Sequence, residues 1–294
     1  MRILLLCLFS LLAACQTQDV TSPPAAIAPQ GRDHVDLGVI RELATGRTLT
    51  PQALVERLAL APRVLVGEQH DNPDHHALQL WLLRELAKQR PQGSLLMEML
   101  NPDQQAKVDA AQTSTRAGHP PADPYEALSW QANWDWSVYG ALVTYALRQP
   151  YPLLSANLDR AQIKQIYKQR PTLSGEASTT RQVQSTLLED IRESHCGLLP
   201  EAQMPAMLAV QQQRDRRMAE RLLAAPPPAV LLAGAFHVRK DLGVPLHLKD
   251  LGADQGNAVL VLAEVGKTVS AESADYVWYT AAQPEQDHCA KLRR

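Results

Sequence analysis

Val64-Leu65-Val66-Gly67-Glu68-Gln69-His70 and Leu231-Leu232-Ala233-Gly234-Ala235-Phe236-His237 are two copies of one pattern. In each, a short apolar run that suits a buried strand ends at a Gly, and a His follows three residues later. Gly is expected to let the chain turn sharply off the strand end, so that the His points back over the sheet edge. Ser94-Leu95-Leu96-Met97-Glu98 is a third run, closed by a carboxylate. In a parallel α/β sheet, ligands gather at the carboxyl ends of the strands, where loops and helix N-termini converge. The pattern therefore places Glu68, His70, Glu98 and His237 at one rim. Imidazole with carboxylate is also a donor set for a divalent metal.

The flanking sequence supports such a sheet. Asn72-Pro73 starts a helix with Asn as cap and Pro in the first turn, and apolar residues then recur at helical spacing to about Gln89. Asn101-Pro102 starts another, through about Ala111, and 113–124 reads as a loop. Helix is expected over 139–147 and 159–168, and strand over 152–156. Glu201 to Ala224 is the longest amphipathic stretch, stopped by Pro226-Pro227-Pro228. Ala258 to Glu264 is a further strand. Apolar strands alternating with helices predict an α/β domain built on a mostly parallel sheet flanked by helices.

Other residues carry weaker signals. Arg214 shares a helical face with Met207, Val210 and Met218, so it is expected to point inward and need a partner, or else to snorkel outward. Trp130, Trp134 and Trp136 cluster with Tyr139, which suits a core or a flat apolar wall. His76 shares a face with Leu80, Leu83 and Ala87, which suits a core histidine as well as a ligand. His34, His119, His247 and His288 lie in polar or loop contexts and carry no motif.

The N-terminus begins with Arg2, an apolar run from Ile3 to Leu12, and Leu12-Ala13-Ala14-Cys15. The run is too short to span a bilayer and ends in small residues, as a signal peptide does. The cut region resembles a lipobox, so residues 1–14 are expected to be removed and Cys15 to carry lipid that anchors the chain to a bilayer. Gln16 is not an acidic inner-membrane retention signal, which points to the outer membrane with the domain facing the periplasm. Residues 15–32, rich in Pro, Ala, Thr and Ser, read as a tether, and 33–294 as one domain. Removing the signal leaves 28 basic against 31 acidic residues, a net −3, and nothing suggests nucleic acid. Cys7 leaves with the signal and Cys15 is taken by lipid. Cys196 and Cys289 remain in an oxidising compartment, which predicts a disulfide.

Several segments together resemble a known family. They include Gly67-Glu-Gln-His-Asp-Asn-Pro-Asp-His-His76, Asn133-Trp-Asp-Trp-Ser-Val-Tyr-Gly140, Ser194-His-Cys-Gly-Leu-Leu-Pro200, Arg214-Asp-Arg-Arg-Met-Ala219, Gly234-Ala-Phe-His-Val-Arg-Lys-Asp241 and Asp275-Tyr-Val-Trp-Tyr279. The chain resembles the ChaN-like haem-binding uptake lipoproteins, within the wider Tiki, TraB and erythromycin-esterase-like superfamily. The resemblance implies haem as cofactor and a role in iron uptake, with an outer-membrane haem receptor and a homodimer as partners it leaves open. Candidate haem ligands are His195, Tyr139, His237 and His76, since ferric haem is held by His or Tyr in different proteins. Arg214, Arg239 and Lys240 are candidate propionate partners. The superfamily also contains hydrolases, so a metal-dependent hydrolase using Glu68, His70, Glu98 and His237 is the alternative, and a scaffold with relic rim residues is a third reading.

Overall fold

The structure, a computed structural model, describes residues 21–291; the expected signal peptide and Cys15 lie outside them. Eight strands form one sheet: β1 Ile40–Glu42, β2 Arg47–Leu49, β3 Arg63–Glu68, β4 Ser94–Met97, β5 Leu153–Ser155, β6 Ala229–Gly234, β7 Asn257–Glu264 and β8 Tyr276–Thr280. Their order is β2-β1-β8-β7-β3-β6-β4-β5. β3 to β8 pair in parallel, and β1 near one edge runs against them, antiparallel to both β8 and β2. The domain is thus the mostly parallel α/β sheet that the strand-helix alternation predicts.

Strand side chains alternate between two apolar layers, as a period of two requires. Val64, Val66, Leu95, Met97, Val230, Leu232, Leu260 and Leu262 face one layer, while Leu65, Leu96, Leu231, Ala233, Val259 and Val261 face the other. The first layer holds α1 Pro51–Ala59, α2 Pro73–Gln89, α3 Gln105–Arg116, the short α4 Pro124–Ala127 and α5 Trp136–Leu147. The second is built on α6 Arg160–Gln169, α7 Arg181–Ser194, α8 Met204–Ala224, α9 Ala235–Val238 and α10 Val244–Asp250. α1 starts with Thr50, whose side chain accepts from the Ala53 amide, followed by Pro51. α2 starts in the same way with Asn72 and Pro73.

Several elements were not expected from the sequence. β1 and β2 are too short to show periodicity. α7 does carry a signal, with Thr180 as cap and Val183, Leu187 and Ile191 one turn apart. The expected loop at 113–124 begins late, because α3 continues to Arg116. His247 is buried in α10 and not in a loop.

The expected tether over 15–32 is also corrected. From Thr21 onward it is strapped to α2: Thr21 N–H and Oγ1 donate to Glu85 at 3.2 and 2.6 Å, and Trp81 Nε1 donates to the Thr21 carbonyl at 3.1 Å. Asp74 accepts from the Ile27 and Ala28 amides, and Gln30 bridges to Ala282. Polar, Pro-rich sequence hides this docking because main-chain groups and buried carboxylates make it.

Cys196 and Cys289 form a disulfide across 93 residues, holding the last described turn, at 288–291, against the end of α7. Cross-linking a loop of this length stabilises by about 4.6 kcal/mol in the chain-entropy model. Replacing both cysteines by serine is expected to lower unfolding stability by roughly that amount. Denaturant melts of parent and double variant measure it, and an unchanged midpoint would show that the bond adds nothing.

Candidate functional site

Adjacent strands β3 and β6 set the register of the rim. Glu68 lies opposite Gly234, and Gly67 opposite Ala233, so the two Gly-x-x-His segments leave the sheet side by side. Neither Gly has a positive φ; Gly234 stands at φ −57° and ψ 146°, which any residue adopts. The sharp-turn expectation is therefore replaced by close approach. A Cβ on Gly234 would sit 2.9 Å from His70 Nε2, and one on Gly67 would meet the Val238 side chain and lie 2.9 Å from the Ala235 Cα. Each Gly makes room for the segment that leaves the neighbouring strand.

Strand alternation sends the two carboxylates to opposite layers. Glu68 shares the parity of Val64 and Val66 and points toward α5. There Oε1 accepts from Tyr139 Oη at 2.8 Å and pairs with His70 Nδ1 at 2.7 Å. Burial and the Glu68 charge both push the Tyr139 phenol far above its ordinary range. Burial pulls the His70 imidazole down, but the hydrogen bond and charge of Glu68 outweigh it, and its pKa is raised. Trp134 stands edge-on to His70, with ring centroids 4.8 Å apart.

Glu98 shares the parity of Leu96 and points toward α8 and α9. His237 is clamped there, with Nδ1 2.5 Å from Asp215 Oδ1 and Nε2 3.3 Å from Glu98 Oε1. Glu98 Oε2 also accepts from the Gly234 amide at 2.8 Å. Burial disfavours the charged imidazole, yet Glu98 and Asp215 overcome this and raise its pKa to about 10. Burial also opposes the Glu98 charge, but His237, His70 and the Gly234 amide hold this carboxyl well below the usual range.

The other histidines of the motif are structural. His75 Nδ1 accepts from the Gln69 amide at 2.8 Å, so Nε2–H faces Thr280 Oγ1 at 2.9 Å, and burial lowers its pKa to about 3. His76 Nε2 donates to the His70 carbonyl at 3.0 Å, with its ring on Tyr139 at 4.2 Å.

A cavity of about 370 Å³ opens over this rim, lined by Glu68, His70, Gly234, Phe236 and His237 and walled by Leu187, Ile191 and Leu242. Such a volume is in the range of small-molecule sites. A second hollow of about 500 Å³ adjoins it along Gln69, Ala235 and Phe236, and is bordered by Arg239 and Lys267. The sequence reading missed Leu187, Ile191, Leu242, Phe236 and Lys267. The period of α7 would have located the first two, whereas Phe236 shows only as an aromatic inside the motif, 62% exposed.

The structure sorts the candidate residues. His237, Glu68, Glu98 and His70 converge as hydrogen-bonded ion pairs, with both nitrogens of His237 engaged. Among the described residues no group of three or more His, Cys, Asp or Glu is arranged to hold a metal ion, and nothing supports the divalent-metal expectation. Tyr139 is buried with its hydroxyl held by Glu68, and His76 is 3% exposed, so neither presents a ligand atom to the cavity. The aromatic segment belongs mainly to the first core layer and does not wall the cavity. Arg214 is half-buried and lines neither hollow; its neighbours Asp215 and Arg216 are the deeply buried charges of α8, paired with His237 and Asp250. Lys240 is held by Asp275 at 2.6 Å beside a different depression. His195 caps α7 directly after Ser194, which lines the cavity. Its Nδ1 donates to the Ile191 carbonyl at 2.8 Å, which leaves Nε2 as the lone-pair nitrogen of the neutral ring.

Removing one member of a buried pair strands its partners, at a cost of about 3–5 kcal/mol. His237→Gln is expected to destabilise the fold by that order. The parent's pH dependence follows from the same pair. The raised His237 pKa gives a contribution fully present below about pH 6.5 and lost as pH rises through about 10. The depressed Glu98 pKa gives one present above about pH 4.5 and lost in acid. Denaturant melts from pH 6 to 10 should show a decline that is missing in His237→Gln; equal slopes would contradict the clamp.

The family described as haem-binding uptake, Tiki superfamily, ChaN matches residues 54–248. Among solved structures, one concerning cofacial haem binding to ChaN of Campylobacter jejuni is 29% identical, covers 82% of this chain and 95% of its own, and superposes with a TM-score of 0.75. A mutant erythromycin esterase in its open conformation is a distant likeness, 12% identical over 86% of each chain with a TM-score of 0.47. No curated protein sequence matches. With the family matched across the rim strands, both Gly-x-x-His segments and α8, the chain belongs to the ChaN family of haem-binding uptake proteins in the Tiki superfamily.

Proposed function

We propose that this chain is an envelope lipoprotein of haem uptake, held to the outer membrane by lipid on Cys15, that binds haem over the rim cavity with His195 as iron ligand. The observation that carries the ligand is the His195 ring itself. A metal-bound His almost always donates its other N–H to a carboxylate, a carbonyl or water, and the Ile191 carbonyl fills that role here. The neutral Nε2 is the form that iron takes. Tyr139, His237 and His76 have their polar atoms committed elsewhere.

The surroundings fit the group. Haem is a flat apolar disc with two carboxylates, so it needs an apolar wall and cations at one edge. Leu187, Ile191, Leu242 and the exposed Phe236 ring supply the wall. Lys267 and Arg239 border the adjoining hollow, and Arg239 is shared with Asp241 at 2.6 Å. Charge-assisted bonds from such groups would meet propionates. The haem bound by the Campylobacter jejuni ChaN supports the same cargo for this chain. A single protein ligand would suit a carrier that must release what it holds to a receptor or another acceptor.

Hemin titrated into the Cys15→Ser protein should give a saturable Soret band with micromolar or tighter affinity, about −8 kcal/mol. His195→Ala should weaken binding at least about tenfold, about 1.4 kcal/mol, and alter the ferric spin state by EPR. An unchanged spectrum and affinity in His195→Ala would overturn the ligand, and the diffuse spectrum of free hemin in the parent would overturn the haem reading. In cells, Cys15→Ser should move the protein out of the membrane fraction; retention there would overturn the anchor.

A further inference from the structure

We infer that the end of the sheet opposite the cavity is a lipid-facing surface, so that the domain sits on an anionic membrane with its cavity turned away from it. The inference rests on the reading of Cys15 as the lipid anchor. Only five residues, Gln16 to Val20, separate Cys15 from Thr21, and fully extended they reach about 20 Å. Thr21 is fixed by Glu85 and Trp81, near the C-terminal end of α2. Because α2 runs antiparallel to the strands, that end lies at the base of the sheet, where the strands begin. The strap then climbs α2 to Asp74, at the rim. Glu85 follows Asp74 by eleven helical steps, a rise of about 16 Å. The leash therefore leaves the domain on the base side, and on the α2 layer, whereas the cavity opens at the rim against α7 and α9.

The base has the charge for such a contact. The helices α1, α2, α3, α5 and α10 all return to it with their C-terminal turns, and the cations there suit the helix dipoles. Several of these charges are not neutralised by carboxylates. Arg63 bonds the Gln255 carbonyl and the Asn257 amide oxygen, and Arg116 the Gln149 and Tyr151 carbonyls, whereas the Arg90 guanidinium is largely buried against the Ala59 and Ala61 carbonyls. Arg148 and Lys249 are exposed at the C-terminal ends of α5 and α10, and Lys249 lines a depression together with Asp254. Carbonyl partners orient a guanidinium without cancelling its charge, so the base presents cations to lipid phosphates. Such residues contribute about fivefold each to binding of an anionic surface.

Two measurements test this. In the first, a benzophenone amino acid replaces Leu60, 85% exposed at the C-terminal end of α1, or Asp71, exposed at the rim, in the lipidated full chain on vesicles containing phosphatidylglycerol. Lipid adducts are expected from position 60 and not from position 71. Equal or greater adduct yield at 71, or none at either position in membrane-bound protein, would overturn the orientation. Absence of the parent from the vesicle fraction would instead overturn the anchor. In the second, the unanchored Cys15→Ser chain is bound to the same vesicles. Weak, salt-sensitive binding is expected, lowered about fivefold by Arg148→Gln and again by Lys249→Gln. No binding, or binding indifferent to both changes, would show that the base is not a lipid face.

Discussion

A buried imidazolium organises this domain. His237 comes from the short helix after β6, Asp215 from the middle of α8, and Glu98 from the end of β4, and the ring bonds both carboxylates. Taking three ionisable groups out of water is costly unless each is paired, so the sheet edge, α8 and α9 are held in one arrangement. Glu98 uses its other oxygen on the Gly234 amide, which ties the same network to the neighbouring strand. The Glu68–His70–Tyr139 set does the corresponding work on the opposite face of the sheet. The floor of the cavity is therefore rigid and polar, and its walls are apolar helix faces.

This arrangement separates two tasks that the same residue types could have shared. His237 and His76 stabilise structure, because their nitrogens are spent on carboxylates, a carbonyl and a side-chain amide, and His70 gives its Nδ1 to Glu68. The proposed ligand, His195, stands at the end of α7 with its Nδ1 on the Ile191 carbonyl, directly after Ser194 of the cavity wall. α7 ends there because Cys196 and Gly197 both adopt the left-handed backbone, and the disulfide to Cys289 holds that end. The proposed ligand is thus carried by an element that is cross-linked to the chain terminus and not by the sheet.

The strands β3, β4, β6 and β7 were legible in the sequence because they are uninterrupted apolar runs closed by Gly or Glu, with no competing helical period. The convergence of His70, Glu68, Glu98 and His237 followed from strand-end geometry alone. Their roles did not, because whether a carboxylate accepts from Tyr139 or faces a metal depends on helix placement across the sheet. Asp215 is the clearest case. It neighbours Arg214 in sequence, but only the packing of α8 against α9 shows that the acid, and not the base, is the partner of the rim. The strap over residues 21–30 was hidden for a different reason, since its contacts are main-chain amides meeting Asp74 and Glu85.

The central claim is that haem lies in the cavity between α7 and the rim. Ferric haem is paramagnetic and broadens nearby methyl resonances, so NMR of methyl-labelled protein with bound hemin locates it directly. The account predicts broadening of Leu187, Ile191 and Leu242, with Leu60 and Leu251 at the opposite end of the sheet unaffected. Broadening centred away from α7, with those three methyls sharp, would contradict it.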